Sequence, residues 1–331
     1  MKPFEAEAAT LRGYLESAQR VMITAPAPAD GDSIGSQLAL RAAIKVHFPR
    51  LDTRIVNEDI LLERYRHLPG ARDVDLPRQF QPGDFDLGIV CDGGAERIGA
   101  SSALFEACKH KVQVDHHAVG AKYKYDLRMW DGKAAATTEI VYRILLSQAL
   151  PVKLTPEIAQ ALYVGVIFDT GYFRHSSTTP ETLEFGAALL RTGFNFSDVG
   201  ERAMLMRSMG GIQLMGRVMA ESTSSAEGRV LSGVIPRHLL KSFAARDEDR
   251  DGIIDQLSLV QGVEVAVIFH ETEAGDVKIS FRSKSDFDVA ELARMLSPTG
   301  GGHRKASGCM MRGPLDSTVG YVLDTLEKML G

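Results

Sequence analysis

Four short acidic patches carry the groups best able to do chemistry: Asp30-Gly31-Asp32, Asp92-Gly93-Gly94, Asp115-His116-His117 and Asp169-Thr170-Gly171. Two carboxylates at i and i+2 in a turn can face two different cations. A carboxylate followed by glycines lets a ligand come close. Asp115-His116-His117 adds two adjacent imidazoles, so three metal-competent or proton-transfer groups leave one strand end. Mixed histidine and carboxylate donors suit Mn²⁺ and related divalent ions better than Ca²⁺. Taken singly, the aspartates have ordinary explanations, because Asp-Gly is a common turn and Asp32 or Ser33 would cap a helix. Jointly they supply ligands for two cations about 3.5–4 Å apart, the arrangement that serves in-line phosphoryl hydrolysis.

These groups need a frame that gathers them. Val21 to Ala25, Arg54 to Val56, Leu87 to Cys91 and Lys111 to Val114 read as short buried strands. Helices are expected over Ser33 to Phe48 and Ser101 to Lys109, between them. Strands alternating with helices predict βαβ units and a parallel sheet covered on both faces. Ligands of such sheets lie beyond the carboxyl ends of the strands, which is where Asp30, Asp32, Asp92 and Asp115 fall. A further apolar helix, Leu154 to Phe168 with Pro156 in its first turn, delivers Asp169 at its end. Another runs from Pro180 to Arg191.

The rest of the chain changes character. The Met-rich stretch from Ser197 to Met219 has helical spacing and reads as a packed connector between domains. Arg229 to Ile235, Val263 to His270 and Val277 to Arg282 read as strands, and the charge run 246–251 as a solvated loop or helix end. The expected architecture is α/β: a parallel-sheet domain over 1–190, a helical linker over 191–225, and a smaller α/β domain over 226–331. With 331 residues, two domains are the natural expectation. The net charge of −5 argues against a surface that coats long duplex nucleic acid, without excluding a short nucleotide substrate. Three cysteines without a CxxC spacing fit a reducing compartment. No apolar run approaches the ~18 residues that span a membrane, and no signal peptide is recognisable, so the expected location is the cytoplasm.

The order of these motifs resembles the DHH phosphoesterase superfamily. In the last third, Arg282-Ser283 after a strand, Gly300-Gly301-Gly302-His303 and Ala306-Ser307-Gly308 resemble its DHHA1 substrate-binding domain. The likeness spans nearly the whole chain and is nearest to the nanoRNase and pAp-phosphatase type, which degrades short oligoribonucleotides and removes the 3′-phosphate of adenosine 3′,5′-bisphosphate (pAp). The resemblance implies two divalent ions, Mn²⁺ or Mg²⁺, that activate a water. Asp92 would bridge them, Asp30 would hold the first, and Asp32, His116 and Asp169 the second. His117 would face the phosphate or assist proton transfer, with Asp115 orienting its neighbours. Arg282 and Ser283 would grip a terminal phosphate, the Gly300 to Gly302 loop would offer N–H groups to an anion, and His303 would close that site. Arg97 falls where the family often has a substrate arginine. A homodimer is compatible with this pattern.

One position departs from it. Where the family commonly has a histidine four residues before the first aspartate, this chain has Pro26, which offers no donor atom. The first cation then lacks a ligand unless water, His175 or Asn57 supplies it. Two rival functions follow: a phosphodiesterase for cyclic or linear dinucleotides such as c-di-AMP or pApA, and a nucleotide sensor without turnover.

Overall fold

The computed structural model describes residues 3–117 and 123–330; positions 1, 2, 118–122 and 331 lie outside it. The chain divides into two compact units, Met1–Met206 and Arg207–Gly331.

The first unit runs α1 (Glu5–Ser17), β1 (Arg20–Thr24), α2 (Gly31–His47), β2 (Asp52–Val56), β3 (Val74–Asp75), β4 (Leu87–Cys91), α3 (Ser102–Glu106), β5 (His110–Asp115), β6 (Leu127–Trp130), α4 (Thr137–Leu145), α5 (Pro156–Asp169), α6 (Pro180–Leu190) and α7 (Phe196–Gly200). All six strands pair in parallel, in the order β3-β2-β1-β4-β5-β6. This is the expected doubly wound sheet, and its strand order reverses between β1 and β4. A crevice opens at the carboxyl ends of such a pair because the following loops leave in opposite directions. Asp30 and Asp32 follow β1, and Asp92 follows β4, so the switch point is lined with carboxylates. One face of the sheet packs Val21, Ile23, Ile89, Val112 and Val114 against α2, α4 and α5. The other packs Met22, Val56, Val90, Leu104 and Phe105 into a smaller cluster. The central strands β1 and β4 therefore bury both of their alternating side-chain rows, as the middle of a parallel sheet requires.

The second unit runs α8 (Met209–Ala220), β7 (Thr223–Ser225), β8 (Val230–Ile235), α9 (Arg237–Ser242), α10 (Ile253–Ser258), β9 (Val265–Glu271), β10 (Val277–Ser283), α11 (Val289–Leu296), β11 (Gly301–His303), β12 (Ala306–Met311) and α12 (Leu315–Leu330). Its sheet has the order β11-β12-β10-β9-β8-β7 and is mixed, with β8 and β9 the parallel pair. Val267, Phe269, Ile279 and Phe281 meet α11 and α12 on one face. Ala266 and Ile268 meet α8, α9 and α10 on the other.

Three expectations for this half change. The stretch 191–225 is not one connector: Val199 and Ala203 are buried in the first core, whereas Leu214 and Val218 are buried in the second. The methionine spacing is helical, but each half serves a different unit. The charge run is not wholly solvated either. Asp249 is buried, accepting hydrogen bonds from Arg246 N (2.8 Å) and Ser208 Oγ (2.9 Å) beside the start of α8. The glycine-rich loop is an edge strand, since Gly301, Gly302 and His303 pair with Gly308, Ser307 and Ala306. Glycine lacks a side chain to reveal alternation, so backbone pairing there leaves no apolar pattern to read.

Candidate metal centre

Asp30 opens the site as the N-cap of α2. Its Oδ1 accepts from Asp32 N and Ser33 N, both at 3.0 Å, so Asp30 itself fills the capping role expected of Asp32 or Ser33. That frees Asp32 to point inward, where it is fully buried. Asp32 Oδ2 accepts from Thr137 N at 2.6 Å, and Oδ1 from Thr138 N at 3.0 Å and Thr138 Oγ1 at 2.8 Å. The carboxylate thus sits on the N-terminus of α4, where unpaired N–H groups and the helix dipole favour an anion. Gly165 on α5 makes room for this contact: a β-carbon there would come within 2.5 Å of Asp32 Oδ1 and 2.3 Å of Thr138 Cγ2.

Asp92 turns away from β4 with φ 65°, a left-handed conformation that aspartate and asparagine tolerate better than most residues. Ser33 Oγ donates to its Oδ2 at 2.7 Å and Thr137 Oγ1 to its Oδ1 at 3.1 Å. His116 presents Nε2 to Asp169 at 3.0 Å and to Asp92 at 3.8 Å, while its Nδ1 faces the Ala134 carbonyl at 3.2 Å. A carbonyl on Nδ1 fixes the ring so that Nε2 is the ligating nitrogen, as in metal-bound histidines. His117 is held by Asp115 Oδ1, which accepts from its Nδ1 at 2.7 Å and its backbone N at 3.1 Å.

The electrostatics are those of a site with too many anions. Burial first, then the charge of Asp92, lifts Asp30 to about 7. Burial and the charge of Asp169 lift Asp32 to about 7. Burial also raises Asp92, with Asp32 adding to the shift, and carries Asp169 to about 6 against the pull of His116. Burial opposes a charge on His116, yet the hydrogen bond and charge of Asp169, helped by Asp32 and Asp92, raise it to about 11. Asp115 goes the other way: burial disfavours its charge, but its bonds from His117 hold it below the usual carboxylate range. The clustered carboxylates therefore hold protons that a divalent cation would displace.

Among the described residues, two donor groups are close enough to hold an ion, each with its ligand atoms within 4.8 Å of one another: Asp92, His116 and His117; and Asp32, Asp92, His116 and Asp169. Asp30 lies beside Asp92 but outside both groups. Pro26 is buried with its ring on Gly93, where a β-carbon would approach Pro26 Cγ to 2.6 Å. Neither suggested substitute joins the donors. Asn57 exchanges hydrogen bonds with Gln37 at 2.7 and 2.9 Å, and His175 Nδ1 meets the Asp169 carbonyl at 2.9 Å. Arg97 is exposed, and its carbonyl accepts from Ala27 N at 2.9 Å. Thr137, Thr138 and Gln113 are the residues that the sequence reading passed over. Gln113 Nε2 donates to the Gly93 carbonyl (2.9 Å) and to Asp115 Oδ2 (3.2 Å), linking two of the site's turns.

In the second unit, Arg282, Ala306 and His303 share one register row across β10, β12 and β11. Arg282 Nε pairs with Asp255 at 3.0 Å, and Ser283 Oγ donates to the Ser285 carbonyl at 3.2 Å. Gly300 packs so tightly on the end of α11 that a β-carbon would lie 1.8 Å from the Ala293 carbonyl oxygen.

The family described as "DHH family, N-terminal domain" matches residues 20–166, and the "DHHA1 domain" matches residues 233–330. The chain carries a DHH-family N-terminal domain followed by a DHHA1 domain. Among its DHH relatives, the bifunctional oligoribonuclease and PAP phosphatase NrnA of Thermus thermophilus is 28% identical over 91% of this chain and 87% of the relative. The probable bifunctional oligoribonuclease and PAP phosphatase NrnA of Streptococcus mutans is 26% identical over 90% and 92%. An exopolyphosphatase-related protein from Bacteroides fragilis shares the fold, with a TM-score of 0.88 at 21% identity over 98% and 97% of the two chains. Among the described residues, no helix is long and apolar enough to cross a membrane.

Proposed function

We propose that the chain hydrolyses phosphate esters of short oligoribonucleotides and pAp, using two divalent cations, Mn²⁺ in preference to Mg²⁺. The observation that carries this reading is that Asp92 and His116 belong to both donor groups. A carboxylate shared by two such groups is what bridging a cation pair requires. The relatives named oligoribonuclease and PAP phosphatase support the substrate class.

Held by Asp30, Asp32, Asp92, His116 and Asp169, divalent cations would polarise a phosphoryl oxygen and make water a nucleophile near neutral pH. The chain's own groups prepare that chemistry. Thr137 and Thr138 keep Asp32 aimed inward. Asp115 holds His117 by Nδ1 and so orients the ring, whose Nε2 would meet a phosphate oxygen or carry a proton. Arg97 would steady the substrate near the reacting phosphate. Arg282, Ser283, His303 and the strand that begins at Gly300–Gly302 would bind the far phosphate in the DHHA1 domain. The three cysteines are free and buried, in keeping with a proposed cytoplasmic location.

The test is a panel of pAp, pApA, RNA of a few nucleotides and c-di-AMP, each assayed with Mn²⁺, Mg²⁺ and chelator. Turnover of pAp and short RNA with Mn²⁺, abolished by chelator, is expected. If all stay intact, the proposal fails. Pro26 favours one rival, the sensor: calorimetric Mn²⁺ binding near one equivalent without any turnover would establish it.

A further inference from the structure

Trp130 is the only tryptophan in the chain, and 42% of it is exposed. It ends β6 directly opposite Asp115 in the register, at the same sheet edge as the metal-competent groups. Its indole is not loose. Nε1 donates to the His117 carbonyl at 2.7 Å, and the Gly132 backbone lies against the benzo ring, where a β-carbon would come within 2.9 Å of Cζ2. The Arg128 guanidinium stands 6.0 Å from the ring centroid and is itself anchored, donating from Nε to Gln113 Oε1 at 2.8 Å. A large aromatic surface left in water costs hydration free energy that a core position would recover. Here it is held in place by a hydrogen bond to the backbone of His117 and by the Gly132 backbone against its ring. Rigid exposed rings beside phosphate-handling groups bind nucleic acid by stacking on a base, which every base allows.

We propose that Trp130 is the stacking platform for the nucleobase that adjoins the phosphate handled at His117. The inference rests on the phosphoesterase reading and adds to it a reason for favouring nucleotides over other phosphate esters. The indole supplies the surface, and Arg128 adds a cation facing the sugar-phosphate backbone. Specificity for one base is not expected, because stacking uses the ring face rather than the hydrogen-bonding edge.

The test compares pApA with the same dinucleotide lacking the base next to the cleaved phosphate. In the native chain kcat/KM should favour the base-bearing substrate, and Trp130→Leu should collapse that preference by about tenfold, chiefly through KM. Trp130→Phe, which keeps a ring but loses the bond to His117, should restore most of it. Equal losses on both substrates in Trp130→Leu would overturn the proposal and leave the indole as a prop for His117. A second readout stands apart from turnover. With Mg²⁺ present, pApA should quench the fluorescence of this sole tryptophan, and the abasic compound should not. Unchanged emission at saturating pApA rejects stacking even if hydrolysis proceeds. Quenching without hydrolysis keeps the platform and removes the enzyme reading instead.

Discussion

Asp30, Asp32, Asp92 and Asp169 in the first unit are carboxylates drawn away from water, and burial is the largest cause raising each above its ordinary range. The candidate anion site of the second unit is built the opposite way. Arg282 is 37% exposed, already faces Asp255, and lies in a row with the exposed His303 on an open strand edge. A buried excess of one charge is unfavourable until its counter-ion arrives, so it selects a small ion of high charge. Exposed cations with partners nearby are balanced in either state and exchange an anion at little cost. On the proposed function the two regions would divide the labour accordingly, one holding cations and the other a ligand that comes and goes.

The strongest break of this comparison is Asp92→Asn. Asparagine tolerates the left-handed backbone at φ 65°, so the fold should survive while the bridging charge is lost. Several kcal/mol of charge stabilisation corresponds to a fall in kcat of about 10³-fold, read as Mn²⁺-dependent phosphate release. Residual activity within tenfold of native would remove Asp92 from the bridging role.

Thr138→Val and Arg282→Ala should separate the regions by kind of effect. Thr138 touches only Asp32 among the metal-facing groups, so its loss should raise the Mn²⁺ half-saturation by about 10–100-fold and spare kcat at saturating metal. Arg282→Ala should instead raise KM by about tenfold with Mn²⁺ dependence unchanged, since it removes a charge-assisted contact made equally in ground and transition states. Crossed outcomes would mean that the two regions do not divide binding as proposed.

Thr138 also shows what the sequence could and could not disclose. Strand-end aspartates were legible because apolar runs mark where strands stop, and Pro156 marks the start of the helix that ends on Asp169. Helix α4 carries no such mark. Its N-cap is Ala136, without a side-chain cap, and the capping carboxylate is Asp32, 105 residues away from Thr137. A cap supplied through space has no local spacing to recognise. The same holds for Gly301 and Gly302, whose strand is defined by backbone pairing alone. Asp249 lies in a run of charges that reads as solvent-facing until Ser208 is seen against it.

Removing the metal should expose the strain among the carboxylates as a pH dependence of stability. Asp30 and Asp32 are raised to about 7 and Asp169 to about 6, above the value of about 3.9 in an unfolded chain. Their neutral forms therefore stabilise the fold fully below pH of about 4, and this contribution is lost as pH rises through about 6–7. Asp115, held low by His117, acts in the opposite direction, and its contribution is lost only as pH falls below the ordinary carboxylate range. In chelator the melting temperature should fall between pH 5 and pH 8. With Mn²⁺ it should hold or rise, because the ions bind the deprotonated set. A flat profile in chelator would show that the carboxylates are not strained.

Pro26→His should give the smallest change and the finest distinction. The proline ring is buried against Gly93, next to Asp92, so an imidazole placed there would lie close to the proposed bridging carboxylate. Asp30 Oδ1 is already occupied by two backbone N–H groups, which leaves the first cation short of donors on that side. A new nitrogen should lower the Mn²⁺ half-saturation by less than about tenfold, below the effect of losing an outer contact such as Thr138. The rate at saturating Mn²⁺ should stay near the native value, because a first cation that binds weakly still reaches its site at high concentration. If native protein is inert at every Mn²⁺ concentration and Pro26→His is active, the missing donor decides function rather than affinity. The native centre would then hold its nucleotide without cleaving it, and the division between a cation-driven unit and a ligand-exchanging unit would describe a sensor.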